Sequence, residues 1–212
     1  MVSIGGRTVT DRLEKNDCCG VILAGGLNTR MAGRNKAFLE VGGESILNRL
    51  LKSLQSCFDE ILLVTRQPEL YGDYPARVVE DIYPYRSSLT GIHAGLVNAN
   101  AQYTFVVPCD APFLQPDLIR LLLDRIQPSL DIVVPYFNNH FEPLCSIYSK
   151  RCLPAIKSQL DHEDYKIINI FDRMRTKKVS ARELKQADPQ MLSFYNVNTP
   201  AAYEACRNLI QD

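Results

Sequence analysis

From Cys18 to Ala24 every residue is apolar or small, and the run stops at Gly25-Gly26. A strand with one face in water alternates apolar and polar residues. A strand without that alternation needs cover on both faces. Further short runs read as strands at Glu60 to Thr65, Arg77 to Glu80, Tyr103 to Val107 and Asp131 to Pro135. Helical stretches lie between them. In Glu44 to Ser56 the residues Ile46, Leu47, Leu50, Leu51 and Leu54 share one face. Thr90 to Ala99 reads as a helix in spite of Gly91 and Gly95, small residues one turn apart that suit close packing on a sheet or a ligand. Pro116 opens a helix through Ile126. Strands alternating with helices across 18–135 imply a three-layer α/β fold around a doubly wound, mostly parallel sheet.

The rest of the chain is less regular. Ala37 to Val41 reads as a short extended piece closed by Gly42-Gly43, Tyr136 to Phe141 as a polar turn, and Pro143 to Tyr148 as a return strand. Residues 152–160 and Tyr165 to Met174 read as helical, and Lys177 to Ala181 as an edge strand. Thr199 caps a last helix from Pro200 that is expected to bury Ala202, Tyr203, Cys206, Leu209 and Ile210. Residues 1–17 show no packing period and read as a flexible N-terminal extension, leaving 18–212 as one domain.

Lys plus Arg and Asp plus Glu both number 24, so no global field recruits nucleic acid or a membrane, and an anionic ligand must be held by a local cluster. The seven cysteines are an odd set without a C-x-x-C pair, which points to buried free thiols and a reducing, cytoplasmic setting. No run reaches the ~18 apolar residues of a membrane span.

In sheets of this kind ligands bind beyond the carboxyl ends of the strands. Gly25-Gly26 stands at one such end, followed by the cations Arg30, Arg34 and Lys36. A glycine turn exposes backbone N–H groups to an oxyanion, and the cations supply charge. The bland alternative is an ordinary turn with solvated charges. Asp81 and Asp110 each follow a buried run, and Asn196 and Asn198 precede the last helix. Asp110 is poised to hold a hard cation such as Mg²⁺, or else serves as a turn aspartate. Neither G-x-G-x-x-G nor G-x-x-x-x-G-K-[ST] is present, which disfavours a dinucleotide-binding dehydrogenase and a P-loop enzyme. His93, His140 and His162 are scattered, and Cys109 beside Asp110 reads as packing.

These residues, taken in order, resemble the molybdenum cofactor guanylyltransferases (MobA), nucleotidyltransferases of the nucleotide-diphospho-sugar transferase fold. The family pattern L-A-G-G, R-M, then a lysine and a second glycine pair is matched by Leu23-Ala24-Gly25-Gly26, Arg30-Met31, Asn35-Lys36 and Gly42-Gly43. Val79-Glu80-Asp81, the helix from Leu89 to Leu96, Pro108-Cys109-Asp110-Ala111-Pro112-Phe113 and Asn196-Val197-Asn198-Thr199-Pro200 are similar to further family segments. The resemblance implies transfer of GMP from GTP to the terminal phosphate of molybdopterin-bound molybdenum cofactor, with pyrophosphate leaving. It implies that Leu23, Ala24, Gly25 and Gly26 hold guanine and phosphates through backbone N–H groups, and that Arg30 and Lys36 stabilise the triphosphate charge. It further implies that Asp110 binds Mg²⁺, that Asn198, with Asn196 nearby, is a weaker ligand beside the acceptor, and that Asp81 contacts the nucleoside. GTP, the molybdopterin cofactor and other molybdenum cofactor proteins are the partners it suggests. Gly26 favours guanine, since the CMP-transferring relative typically reads L-A-A-G. The chain departs from the pattern at Asn35, where an acidic residue is usual, at Ala32, and at Ser87-Ser88, where Gly-Pro is common. A CTP-using relative, another phosphate acceptor, or a nucleotide-binding regulator without catalysis are the rival readings.

Overall fold

The computed structural model describes residues 17–26, 35–81 and 83–209. Residues 1–16 of the extension expected over 1–17, together with Arg30, Met31, Ala32, Arg34 and Ile210, lie outside the described residues.

Strands β1 (Cys18–Leu23), β4 (Ile61–Thr65), β5 (Arg77–Glu80), β6 (Tyr103–Pro108), β7 (Ile132–Phe137), β9 (Ser146–Ser149) and β10 (Thr176–Ser180) form one sheet in the order β10-β7-β9-β6-β1-β4-β5. The pairs β1–β4, β1–β6, β4–β5 and β7–β10 are parallel, while β9 runs antiparallel between β6 and β7. The mostly parallel expectation holds. The unbroken apolar character of β1 follows from its alternation: Cys18 and Ile22 enter one core cluster, Cys19 and Val21 the other.

One face is covered by α1 (Ile46–Gln55), whose stripe of Ile46, Leu47, Leu50, Leu51 and Leu54 is buried, and by α3 (Pro116–Leu123). The other carries α2 (Ser88–Asn98) and α4 (Leu153–Asp161), which pack on each other. The two helical glycines of α2 are explained by the sheet. A Cβ at Gly95 would lie 2.8 Å from Val21 Cγ1, and one at Gly91 3.1 Å from Leu23 Cδ2. Helix α2 therefore rests directly on β1.

Several expectations are corrected. Residues 37–41 are not one extended piece. Lys36–Phe38 is a 3-10 turn, and β2 (Glu40–Val41) pairs antiparallel with β3 (Glu44–Ser45). Gly42 and Gly43 take φ of 62° and 77°, the left-handed pair that a two-residue hairpin turn requires. Helix α1 consequently starts at Ile46, with the Ser45 hydroxyl accepting from Asn48 N–H. Tyr136 to Phe141 is a hairpin rather than a turn. Asn138 and Asn139 at φ 51° and 60° reverse β7 into β8 (His140–Phe141). The helical reading of Tyr165 to Met174 holds, as a 3-10 helix over Ile167–Arg173. A helix missed from the sequence, α5 (Ala181–Ala187), is started by a capping box in which Ser180 and Glu183 bond each other's backbone N–H. In the last helix, α6 (Pro200–Asn208), Thr199 caps as expected and Cys206 is fully buried. Ala202 and Tyr203 are half-buried and Leu209 is 48% exposed, because only one narrow face of α6 meets the domain.

Candidate active site

The sheet register brings the separate motifs together. Leu23 stands opposite both Val64 and Pro108, and Thr65 opposite Glu80, so β1, β4, β5 and β6 end at one edge. The chain leaves β1 through α1 on one face, then passes from β5 through α2 on the other face to reach β6. The crevice between β1 and β6 is thus the switch point where open α/β sheets bind ligands. A cavity of about 400 Å³ opens there. Leu23, Gly25, Gly26, Lys36, Asp81, Asp110, Asn196 and Asn198, all singled out in the sequence, line it. Arg30 lies outside the described residues.

Lys36 is the hub of one wall. Its ammonium donates to Asp110 Oδ2 at 2.9 Å and to Asn198 Oδ1 at 2.6 Å. The Asn35 side-chain carbonyl caps the Lys36–Phe38 turn by accepting from Ala37 N–H at 3.1 Å, and its amide donates to the Tyr71 hydroxyl at 2.8 Å. The acidic residue usual at position 35 is therefore not missed by Lys36, whose carboxylate partner is Asp110. Burial pushes the Tyr71 hydroxyl up to about 12, with the Asn35 bond opposing. Val197 N–H donates to the Asp110 carbonyl at 2.9 Å, fastening the Asn196 to Asn198 turn against the end of β6.

The glycine turn behaves differently from expectation at one position. Ala24 N–H donates to the Val64 carbonyl at 2.8 Å, so it is occupied by the sheet and Ala24 does not line the cavity. Gly25 and Gly26 remain the turn's candidate donors. A Cβ added at either meets no described atom within 4 Å, so a side chain there would enter space open to a ligand.

On the facing wall Asp81 is 8% exposed. Its Oδ2 lies 2.6 Å from the Thr90 hydroxyl, and its Oδ1 accepts from Tyr83 N–H at 3.2 Å. Arg86, Ser87, Ser88 and Gly91 complete this wall. Sequence reasoning assigned no role to Arg86; the Ser87-Ser88 departure beside it was the available signal. Cys109 borders the cavity, its thiol pushed up to about 12 by burial and then by the Asp110 carboxylate, as a packing residue should be. His93 lies edge-on to Tyr83, with its pKa lowered by burial. None of the three histidines lines the cavity.

Two oxygens, Asp110 Oδ2 and Asn198 Oδ1, converge on one cation, the Lys36 ammonium. Among the described residues no three His, Cys, Asp or Glu side chains could enclose a metal by themselves. One carboxylate and one amide oxygen suit Mg²⁺, which keeps waters and shares substrate phosphates. The same pair lacks the nitrogen or sulfur ligands that zinc favours.

A three-layer α/β domain whose strand ends gather a glycine turn, a lysine and two aspartates at one crevice has the layout of a nucleotidyltransferase. Residues 20–179 match the model of the MobA-like NTP transferase domain, and the chain belongs to that family. It is 35% identical over 192 residues to a molybdenum cofactor guanylyltransferase of Desulfosudis oleivorans, covering 91% of this chain and 95% of that one. It is 37% identical over 182 residues to a probable molybdenum cofactor guanylyltransferase of Pelotomaculum thermopropionicum, covering 86% and 88%. The fold is similar to the crystal structure of molybdopterin-guanine dinucleotide biosynthesis protein A from Archaeoglobus fulgidus, with a TM-score of 0.81 at 22% identity over 91% of this chain and 98% of that one. Among the described residues no helix is long and apolar enough to cross a membrane.

Proposed function

We propose that the chain transfers GMP from GTP to the terminal phosphate of molybdopterin-bound molybdenum cofactor, releasing pyrophosphate. The observation that carries this reading is Lys36, which joins the motif of β1 to Asp110 and Asn198 in one cavity of a chain related along most of its length to guanylyltransferases. Gly25 and Gly26 would offer backbone N–H groups to the nucleotide, and Asp81 would hold the nucleoside. Lys36 would turn from Asp110 and Asn198 toward the triphosphate. Asp110, helped by Asn198, would hold Mg²⁺, which supplies positive charge against the phosphates when bound. Arg30 would add charge.

The attacking group, a phosphate monoester, is largely ionised at neutral pH because its second pKa lies near ~6. No strong general base is required. The work left to the protein is to hold two anions in line and to stabilise the leaving pyrophosphate. Incubating the protein with GTP, Mg²⁺ and molybdopterin cofactor should release pyrophosphate and yield the guanine dinucleotide form. A preference for CTP would overturn the choice of base. Nucleotide binding without turnover would favour a regulator.

A further inference from the structure

Two of the described residues lining the cavity are cations, and they are placed in opposite ways. Lys36 is neutralised by Asp110. Arg86, on the facing wall, is exposed and has no carboxylate or other hydrogen-bond partner among the described residues. Its backbone is nevertheless held on both sides. The preceding Tyr85 has its carbonyl 3.4 Å from Arg66 Nη2, donates its hydroxyl to the Leu160 carbonyl at 3.2 Å, and packs between the rings of Tyr83 and Tyr165. The following Ser87 accepts from Thr90 N–H at 3.1 Å and so caps α2. A guanidinium on a fixed stem, at the rim of a cavity whose other described cation is already paired with Asp110, is suited to capture an oxyanion.

We infer that Arg86 is a phosphate-binding residue of this site, engaging a phosphate oxygen of a bound substrate from the wall opposite Lys36. The inference rests on the nucleotidyl-transfer reading for the identity of the ligands. Two phosphates could supply the oxygen: the nucleotide's triphosphate or the monoester of the acceptor.

Binding, measured calorimetrically without turnover, decides. Wild type, Arg86→Ala and Arg86→Lys are titrated with guanosine, pyrophosphate, the non-hydrolysable α,β-methylene analogue of GTP, and molybdopterin cofactor. Arg86→Ala should weaken a phosphate-bearing ligand by about tenfold, the low end for a hydrogen bond to a charged group, as befits an exposed side chain. Guanosine binding and thermal stability should be unchanged, because Arg86 supports nothing in the fold. Arg86→Lys should recover part of the loss by restoring charge without the planar fork. Loss confined to pyrophosphate and the GTP analogue assigns the contact to the nucleotide, and loss confined to the cofactor assigns it to the acceptor. A change below twofold for every phosphate ligand overturns the inference. Absence of transfer by the wild-type protein would sink the functional reading alone, since the pyrophosphate arm needs no acceptor.

Discussion

Lys36, Asp110 and Asn198 hold one another at 2.9 and 2.6 Å across one wall of the cavity, while on the other wall Asp81 is tied to Thr90 and Arg86 is tied to no described residue. The bonds of the first wall join positions 74 and 162 residues apart in the chain. Those of the second are local, nine residues for Asp81 and Thr90. The first wall is a polar network assembled from segments distant in the chain, whereas the second is a short segment pinned at Tyr85 and Ser87 with a cation between that has no described partner. A network of the first kind loses function steeply when one member is removed, because the remaining partners are left unpaired. Residues of the second kind should fail one at a time.

The largest expected effect is at the first wall. Asp110→Ala should abolish Mg²⁺-dependent turnover while circular dichroism and the Tm stay near wild type, since the Val197 bond is to the Asp110 backbone. Undiminished activity would remove Asp110 from the site and dissolve the contrast. Lys36→Ala should lower turnover by about 10²–10³-fold, as for other preorganised electrostatic groups. A loss under threefold would make both walls alike. Next comes the second wall. Thr90→Val withdraws the hydroxyl nearest Asp81 Oδ2 and should cost about 1–2 kcal/mol in urea unfolding, with weaker nucleotide binding. An unchanged midpoint would mean that Asp81 is satisfied by Tyr83 N–H alone.

The smallest effect lies outside both walls and serves as their control. Glu183 is held down to about 2, first by the Ser180 backbone N–H, then by the Ser180 hydroxyl, with Arg125 adding to it. A carboxyl depressed in the folded state stabilises above its unfolded pKa of ~4.3 and loses that contribution as the pH falls toward 2. Asp131, held well below the usual range by Arg175 and then Arg151, acts in the same direction. Stability should therefore decline below about pH 4. Ser180→Ala should cost about 1 kcal/mol at neutral pH, less near pH 2, and leave turnover alone. A turnover defect would tie α5 to the site.

The strands of the parallel core were legible because a strand covered on both faces has no polar position to mislead the eye. β4, β6 and the stripe of α1 stand within a residue of where the sequence placed them. Hairpins at Gly42-Gly43 and Asn138-Asn139 were not, since strands of two residues carry no period and only the turn's backbone angles reveal them. The capping box at Ser180 and Glu183 was present as a motif and went unread because α5 has just seven residues. Leu209 misled for a simpler reason: an apolar residue at helical spacing is buried only where a partner surface exists.

Sequence by itself determined the alternating apolar runs, the glycine turn after β1 and the kinds of residue available at each strand end, because these depend on local chemistry and period. The tertiary structure decided which of them meet. Register across β4, β1 and β6 brought their ends to one edge and occupied the Ala24 N–H with the Val64 carbonyl; the Lys36–Phe38 turn and the Val197 bond to Asp110 set Lys36 between Asp110 and Asn198, and Arg86 stands at the rim with no described partner. Pairing across long chain separations is a property of the sheet, and no stretch of sequence contains it.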